Sequence, residues 1–470
     1  MQKTKAQRLK LNKPATASLW YFFSTVFARG IGMLGTPIFT RLLSAEDFGV
    51  YALFLSLSTV ITVPLTLELS GAICYPALQA FSDRRNTLMS GACKITLILG
   101  GGFSILFLAL APLISSLSGI GEGLVPLVPV FTLSTAIISL YTARLKYEYK
   151  YKEVTFINII LALFAPMLSI FFISVLGQRA NGRIYGTLIL NLLVALPLYI
   201  SMQKRAPRLF DKETTSYLLK GALPLLPHYM CVSLLIRFGE IMLGRIYGAT
   251  EVGKFSVASS VGLSLTMVST SLLSALGPWL TRRVKSGDVL KIRRILDLSL
   301  KLIALCLLFV CAIAPELLRV LAPREYSDAL YAIYPLALSV VPMFLSGVVT
   351  TIRSNFPRVG RSSLPSMLAL LTSVLLSALL LGFDWRLLSV VVLLSYSVLA
   401  LAGLYLLRRD TGFVPISRGS LVTMALAVGY SLLLVLFRGQ IVARALLLLP
   451  LIPLGVQYLK STIKEIREKE

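Results

Sequence analysis

Four ionisable residues, Arg29, Glu68, Arg237 and Glu240, are read as standing inside the long apolar runs of this 470-residue chain. Arginine in such a place is suited to anions, because its guanidinium presents a planar fork of donors to phosphate oxygens and stays charged in any surroundings. Arg29 lies about twelve residues, or ~18 Å along a helix, from either end of the run 17–41. If that run crosses a membrane, Arg29 sits near its midplane, where a charge costs several kcal/mol unless it meets water or a partner. Arg237 has two readings: an anion-binding group, or one half of an ion pair with Glu240 three residues further on. Glu68 and Glu240 are the carboxylates placed within spans, and they read as ion-coupling residues or fixed counter-ions.

The elements that position these charges follow from composition. With 56% hydrophobic and 14% charged residues, the chain cannot present a water-soluble surface, and it reads as an all-α polytopic membrane protein. Fourteen stretches are long enough to cross a hydrocarbon core as helices. They run 17–41, 48–73, 91–117, 124–145, 154–177, 184–202, 222–246, 252–280, 298–321, 329–352, 364–383, 386–407, 419–437 and 441–459. The first follows a basic N-terminus but is too long for a signal-peptide core and lacks a small-residue cleavage site, so it is read as retained.

The net charge of +25 does not signal nucleic acid, because most of the 46 Lys and Arg residues fall in the N-terminal tail and every second connection. The positive-inside rule then places both termini in the cytoplasm and the segment 41–47 outside, as an even number of spans requires. Basic runs such as RRVKSGDVLKIRR (282–294) read as topogenic and attracted to anionic membrane lipid. Arg144 and Arg353, at the cytoplasmic ends of the fourth and tenth spans, carry both readings: topogenic charge, or attraction of an anionic substrate on its way in.

Other chemistries find no support. The five cysteines lie in or beside apolar runs without CxxC spacing, there is one histidine, and acidic clusters are scarce, so neither a disulfide framework nor a metal site is indicated. There is no catalytic triad and no Gly-rich nucleotide loop, and no cofactor is expected. Every connection is under about twenty residues, leaving no room for the extramembrane domain with which an integral membrane glycosyltransferase or polymerase holds its substrates.

The chain also repeats itself. RLLSAEDFGVYALF (41–54) aligns with RIYGATEVGKFSVA (245–258), matching Arg41 to Arg245, Ala45 to Ala249, Asp47 to Glu251, Gly49 to Gly253 and Tyr51 to Phe255. Lys94 pairs with Lys301 and Thr142-Ala143-Arg144 with Thr351-Ile352-Arg353 at slowly drifting offsets, as small loop-length differences between two copies would give. The same alignment sets Arg29 against Ser233, one helical turn from Arg237, so the two arginines would project from equivalent helices toward a shared cavity. Six spans separate the copies, which makes the repeat parallel, about an axis along the membrane normal. The expected organisation is a six-helix lobe over 1–203, a cytoplasmic linker over 204–220, a second six-helix lobe over 221–407, and an appended helix pair with a cytoplasmic tail over 408–470.

The stretch 41–78 resembles the start of O-antigen flippases of the Wzx type, within the multidrug/oligosaccharidyl-lipid/polysaccharide exporter superfamily. Arg41, Leu42, Ser44, Glu46, Asp47, Phe48, Gly49 and Tyr51 carry that resemblance, and the span count agrees with it. It implies translocation of an undecaprenyl-pyrophosphate-linked oligosaccharide from the cytoplasmic to the periplasmic leaflet of a bacterial inner membrane by alternating access. Partners would be the lipid-linked substrate, membrane lipids, and a polysaccharide polymerase with chain-length proteins. Alternatives are a lipid II flippase or small-molecule exporter of the same superfamily, a non-transporting scaffold of polysaccharide assembly, and an integral membrane enzyme. Arg41, Glu46, Asp47, Arg245 and Glu251 are then candidates for an outer gate, or for a structural joint in which the carboxylates favour the N-terminus of the second span.

Overall fold

A computed structural model describes residues 13–204, 211–286, 288–353, 363–412 and 414–449; a few side chains inside its helices, that of Arg29 among them, lie outside the described set. Every regular element among the described residues is helical. Lipid offers the backbone no hydrogen bonds, and an α-helix satisfies its polar groups within one segment. Twelve helices among the described residues are long and apolar enough to cross a membrane. The expected count of fourteen meets the undescribed residues at both ends. The first expected span, 17–41, falls on the helix α1 (Lys13–Leu42). Of the last, 441–459, the helix Ile441–Leu448 is described and residues 450–459 lie outside the described residues.

The chain forms two compact units, Met1–Gly253 and Lys254–Glu470. In the first, α1 packs on α7 (Tyr151–Ser174), and α2 (Ala45–Thr66) packs on α6 (Leu127–Tyr147) and on α10 (Leu226–Tyr247). Around them stand α3 (Cys74–Ala80), α4 (Arg85–Ala109), α5 (Ala111–Ser118), α8 (Arg179–Lys204) and α9 (Lys212–Ala222). The helix α11 (Ala249–Gly262) runs on from the first unit into the second.

The second span departs from expectation. The run 48–73 is not one helix: α2 ends at Thr66, Leu67 and Glu68 both take left-handed backbone (φ 48° and 52°), and a π-turn over Leu69–Ile73 leads into α3. A left-handed residue other than glycine costs ~1–2 kcal/mol, so two in succession persist only where the surroundings impose them. Apolarity continues on both sides of the break, and hydropathy therefore cannot register it.

In the second unit, α13 (Val289–Leu321) and α14 (Leu330–Arg353) supply the core, with Leu307, Cys311, Val340 and Phe344 fully buried. Further helices are α12 (Thr266–Lys285), α15 (Ser363–Leu380), α16 (Leu388–Thr411), α17 (Arg418–Leu436) and α18 (Ile441–Leu448). One ion pair ties α18 to α13: Arg444, 3% exposed, donates to both Glu316 oxygens at 2.7 and 2.5 Å and to the Ala312 carbonyl. Glu316 is thus a third carboxylate inside an apolar span, beyond the two expected from the sequence. Replacing Glu316 by Gln leaves a buried guanidinium without its counter-charge, a change that typically costs about 3 kcal/mol. We expect the thermal midpoint of the detergent-purified protein to fall clearly in Glu316→Gln and to recover in the apolar pair Glu316→Leu with Arg444→Met.

Candidate functional site

The expected anion-binding residues are placed as follows. Arg29 lies on α1, with its side chain outside the described set. Arg237 is near the middle of α10 and donates to both oxygens of Glu240, at 3.0 and 2.8 Å. Glu240 is 6% exposed and also accepts from the Ser56 hydroxyl of α2. One turn back along α10, Ser233 donates to the Thr59 carbonyl of α2 at 2.8 Å. This makes a polar strip between two otherwise apolar helices, in which the Arg237 side chain is 31% exposed while its carboxylate partner is closed in. The strip can present one cation to an anion, with a counter-ion already at hand. Glu68 is not part of it. Its backbone forms the left-handed break, its N–H bonds the Thr66 hydroxyl, and its side chain lies against Gly71.

Arg144 and Arg353, the repeat-paired residues, both hold acidic partners within their own units. Arg144 donates to Glu148 at 2.9 Å. Lys150 meets the other oxygen of that carboxylate, also at 2.9 Å. Burial pushes the Glu148 carboxyl up, but the bonds from Arg144 and Lys150 outweigh it and hold the group below its ordinary value. Arg353, 9% exposed, lies 3.8 Å from Asp410.

The motif copies have distinct local roles. Ser44 caps α2, its hydroxyl accepting from the Asp47 N–H at 3.1 Å and donating to the Asp47 carboxylate at 2.8 Å. Glu46 and Asp47 occupy the first turn of α2, and Glu251 the first turn of α11, where negative charge favours the helix dipole. Arg41 donates to the Pro37 carbonyl at 2.8 Å, and Arg245 to the Ser116 carbonyl.

The two copies also meet. A Cβ on Gly49 would strike the Ala249 carbonyl, and a Cβ on Gly253 would strike the Ala45 carbonyl. Each repeat-related glycine faces the other copy's alanine, so the contact is reciprocal in the manner of a two-fold interface.

Two contributors escape sequence reasoning. Ser56 carries no signal, as one serine among several on an apolar helix. Arg183 of α8 stands over three rings, 4.2 Å from the centre of Phe39, 4.4 Å from Phe48 and 4.0 Å from Tyr51. The motif aromatics thus form a cation–π cage joining the ends of α1, α2 and α8. The cluster Arg179–Arg183 at the head of an apolar run was the available hint.

The fold is that of known transporters. A lipid II flippase, MurJ, in an inward closed conformation, superposes with a TM-score of 0.63 at 14% identity, covering 90% of this chain and 99% of that one. A transporter of the MOP superfamily from Pyrococcus furiosus gives 0.58 at 15% identity, covering 84% and 96%. An outward-facing multidrug resistance MATE family transporter of the same superfamily gives 0.56 at 15% identity, covering 84% and 95%. No curated protein matches the chain. Residues 38–331, more than half of the sequence, match the family described as polysaccharide biosynthesis protein, and this multi-pass membrane protein belongs to that family.

Proposed function

We propose that the protein is a flippase that carries an undecaprenyl-pyrophosphate-linked oligosaccharide, such as an O-antigen or other polysaccharide repeat unit, from the cytoplasmic to the periplasmic leaflet of a bacterial inner membrane. It works by alternating access, with both termini in the cytoplasm and the polyprenyl tail left in lipid. The observation that carries this reading is the family match over residues 38–331, on a fold shared with a lipid II flippase. Arg29 and Arg237 take the pyrophosphate, Arg144 and Arg353 attract it from the cytoplasm, and the reciprocal Gly49–Gly253 joint serves the outer gate. Glu240 acts as the resident counter-ion of Arg237, as its closed hydrogen-bond set supports. The two six-helix lobes and the appended pair form the moving frame. The likeness to the lipid II flippase favours a second reading, in which lipid II itself is carried.

Driving force supplies the test. A pyrophosphate head group bears about two negative charges, and one elementary charge moved across 100 mV is worth ~2.3 kcal/mol. With the cytoplasm negative, outward movement is favoured by roughly 4–5 kcal/mol per 100 mV, close to the ~5.5 kcal/mol that swings a two-state equilibrium from one side to the other. Proteoliposomes given a potassium-diffusion potential, negative on the loaded side, are therefore expected to accumulate flipped lipid-linked oligosaccharide with no pH or sodium gradient. Loading lipid II in parallel separates the two substrates. Movement that ignores the potential, follows an imposed pH gradient and disappears in Glu68→Gln or Glu240→Gln would assign the coupling to a carboxylate instead.

A further inference from the structure

The seam where α9 lies on α4 contains polar groups that have nothing to bind. Ser90, fully buried on α4, donates to the Gln203 side-chain oxygen at 2.7 Å and so fixes the orientation of that amide. The Gln203 Nε2 is then buried without an acceptor, with the Cys93 thiol beside it. One turn before Ser90 on the same face, the Asn86 Oδ1 is also buried and unbonded, as is the Nε of Arg85, whose guanidinium lies 5.1 Å from the Tyr147 ring centre. From the other side comes Thr215 of α9, its hydroxyl unbonded and 3.9 Å from where a Cβ on Gly91 would stand. Three helices, α4, α8 and α9, thus bring unmet polar atoms to this stretch of α4, three of the four able to donate. Buried polar groups are normally hydrogen-bonded, and a cluster that is not calls for an occupant.

The mouth of the seam shows what kind. Arg84 meets two carboxylates at the head of α9, Glu213 at 3.0 Å and the capping Asp211 at 3.7 Å, and its neighbour Asp83 at 3.6 Å. The two longer distances are ion pairs without hydrogen bonds. Glu213 is 63% exposed, so its pair is weak and easily exchanged. We propose that this seam is a phosphate-binding site, in which a phosphate group takes Arg84 from the α9 carboxylates and meets Arg85, Gln203 and Thr215 behind it. Phosphate outcompetes carboxylate there because it brings more acceptor oxygens, which can reach the buried donors of Arg85, Gln203 and Thr215 that lack one, and paired guanidiniums match its geometry. The charge distribution puts the seam at the cytoplasmic membrane surface. Two molecules supply the chemistry in that position: an anionic phospholipid of the bilayer, or the head group of a polyprenyl-pyrophosphate lipid, the latter resting on the flippase reading.

The test is ligand binding to the full-length protein in detergent by native mass spectrometry, with phosphatidylglycerol, farnesyl pyrophosphate, and the uncharged farnesol and diacylglycerol as controls. Arg85→Gln and Arg84→Gln are expected to weaken binding of a phosphate ligand about tenfold, the size of one lost charge-assisted hydrogen bond. Glu213→Gln is expected to strengthen it, because the competing carboxylate is gone. Gain in one variant and loss in the others cannot come from a common folding defect, and matched elution profiles verify that all are folded. Preference for phosphatidylglycerol identifies the bilayer as the source, and preference for farnesyl pyrophosphate identifies the carried lipid; the latter would survive failure of the flipping assay only as a binding function. The proposal is overturned if the arginine variants bind as the parent does, or if Glu213→Gln loses affinity along with them.

Discussion

Gly49→Ala is expected to abolish the folded protein. The added methyl would lie 2.6 Å from the Ala249 carbonyl carbon and 2.9 Å from the Gly253 nitrogen, and it would overlap the Ala249 carbonyl oxygen. All three are backbone atoms, which cannot rotate away as a side chain can. The helices that carry the two motif copies would have to separate, losing the close approach that drives helix association in lipid, where no hydrophobic effect compensates. Overpacking of this kind costs ~1–3 kcal/mol and more where backbone must move, and here the contact is reciprocal, so Gly253→Ala should act in the same direction. Gly102→Ala is the control. It sits inside α4 with nothing within 4 Å of its would-be Cβ, and alanine is the better helix former by roughly 1 kcal/mol. Size-exclusion profiles after detergent extraction should show loss of the monodisperse peak for Gly49→Ala and none for Gly102→Ala.

Arg29→Ala is expected to abolish polysaccharide export while leaving the amount of protein near normal. A charge near the membrane midplane is retained only where it meets water or a partner, so its removal relieves a cost and should not unfold α1. Arg29→Lys keeps the charge and loses the planar fork, and partial export should follow. Arg237→Ala differs in kind, because it strands Glu240, which is buried and already bound to Ser56. That variant should lose stability as well as transport, and Arg237→Ala with Glu240→Ala should recover the stability alone. Full export by Arg29→Ala, measured as surface polysaccharide against protein level, would remove the residue from the site.

Much of the helical architecture was legible because a bilayer leaves few choices: long apolar runs must become helices. The motif repeat was legible too, as a register of identical or chemically similar residue types. Legibility ended where a feature depends on what a helix faces. The break at Leu67–Glu68 lies within continuous apolarity, and only packing against neighbouring elements decides that a strained, left-handed backbone is kept there. Glu316 was overlooked because its partner Arg444 stands 128 residues away in sequence, and no local pattern links them.

The residue types and their spacing determined by themselves that this is a helical membrane protein with a duplicated motif, and that Arg237 has Glu240 within one helical turn. Spacing on one helix sets which of its residues are neighbours, and that geometry travels with the sequence. Tertiary structure alone decided that Ser56 closes the Glu240 hydrogen-bond set, that Phe39, Phe48 and Tyr51 enclose Arg183, and that Gly49 and Gly253 lie against each other's motif. Each of these depends on the distance and rotation between separate helices. Those are settled by the summed packing of whole surfaces, to which no single residue type in the sequence gives a reading.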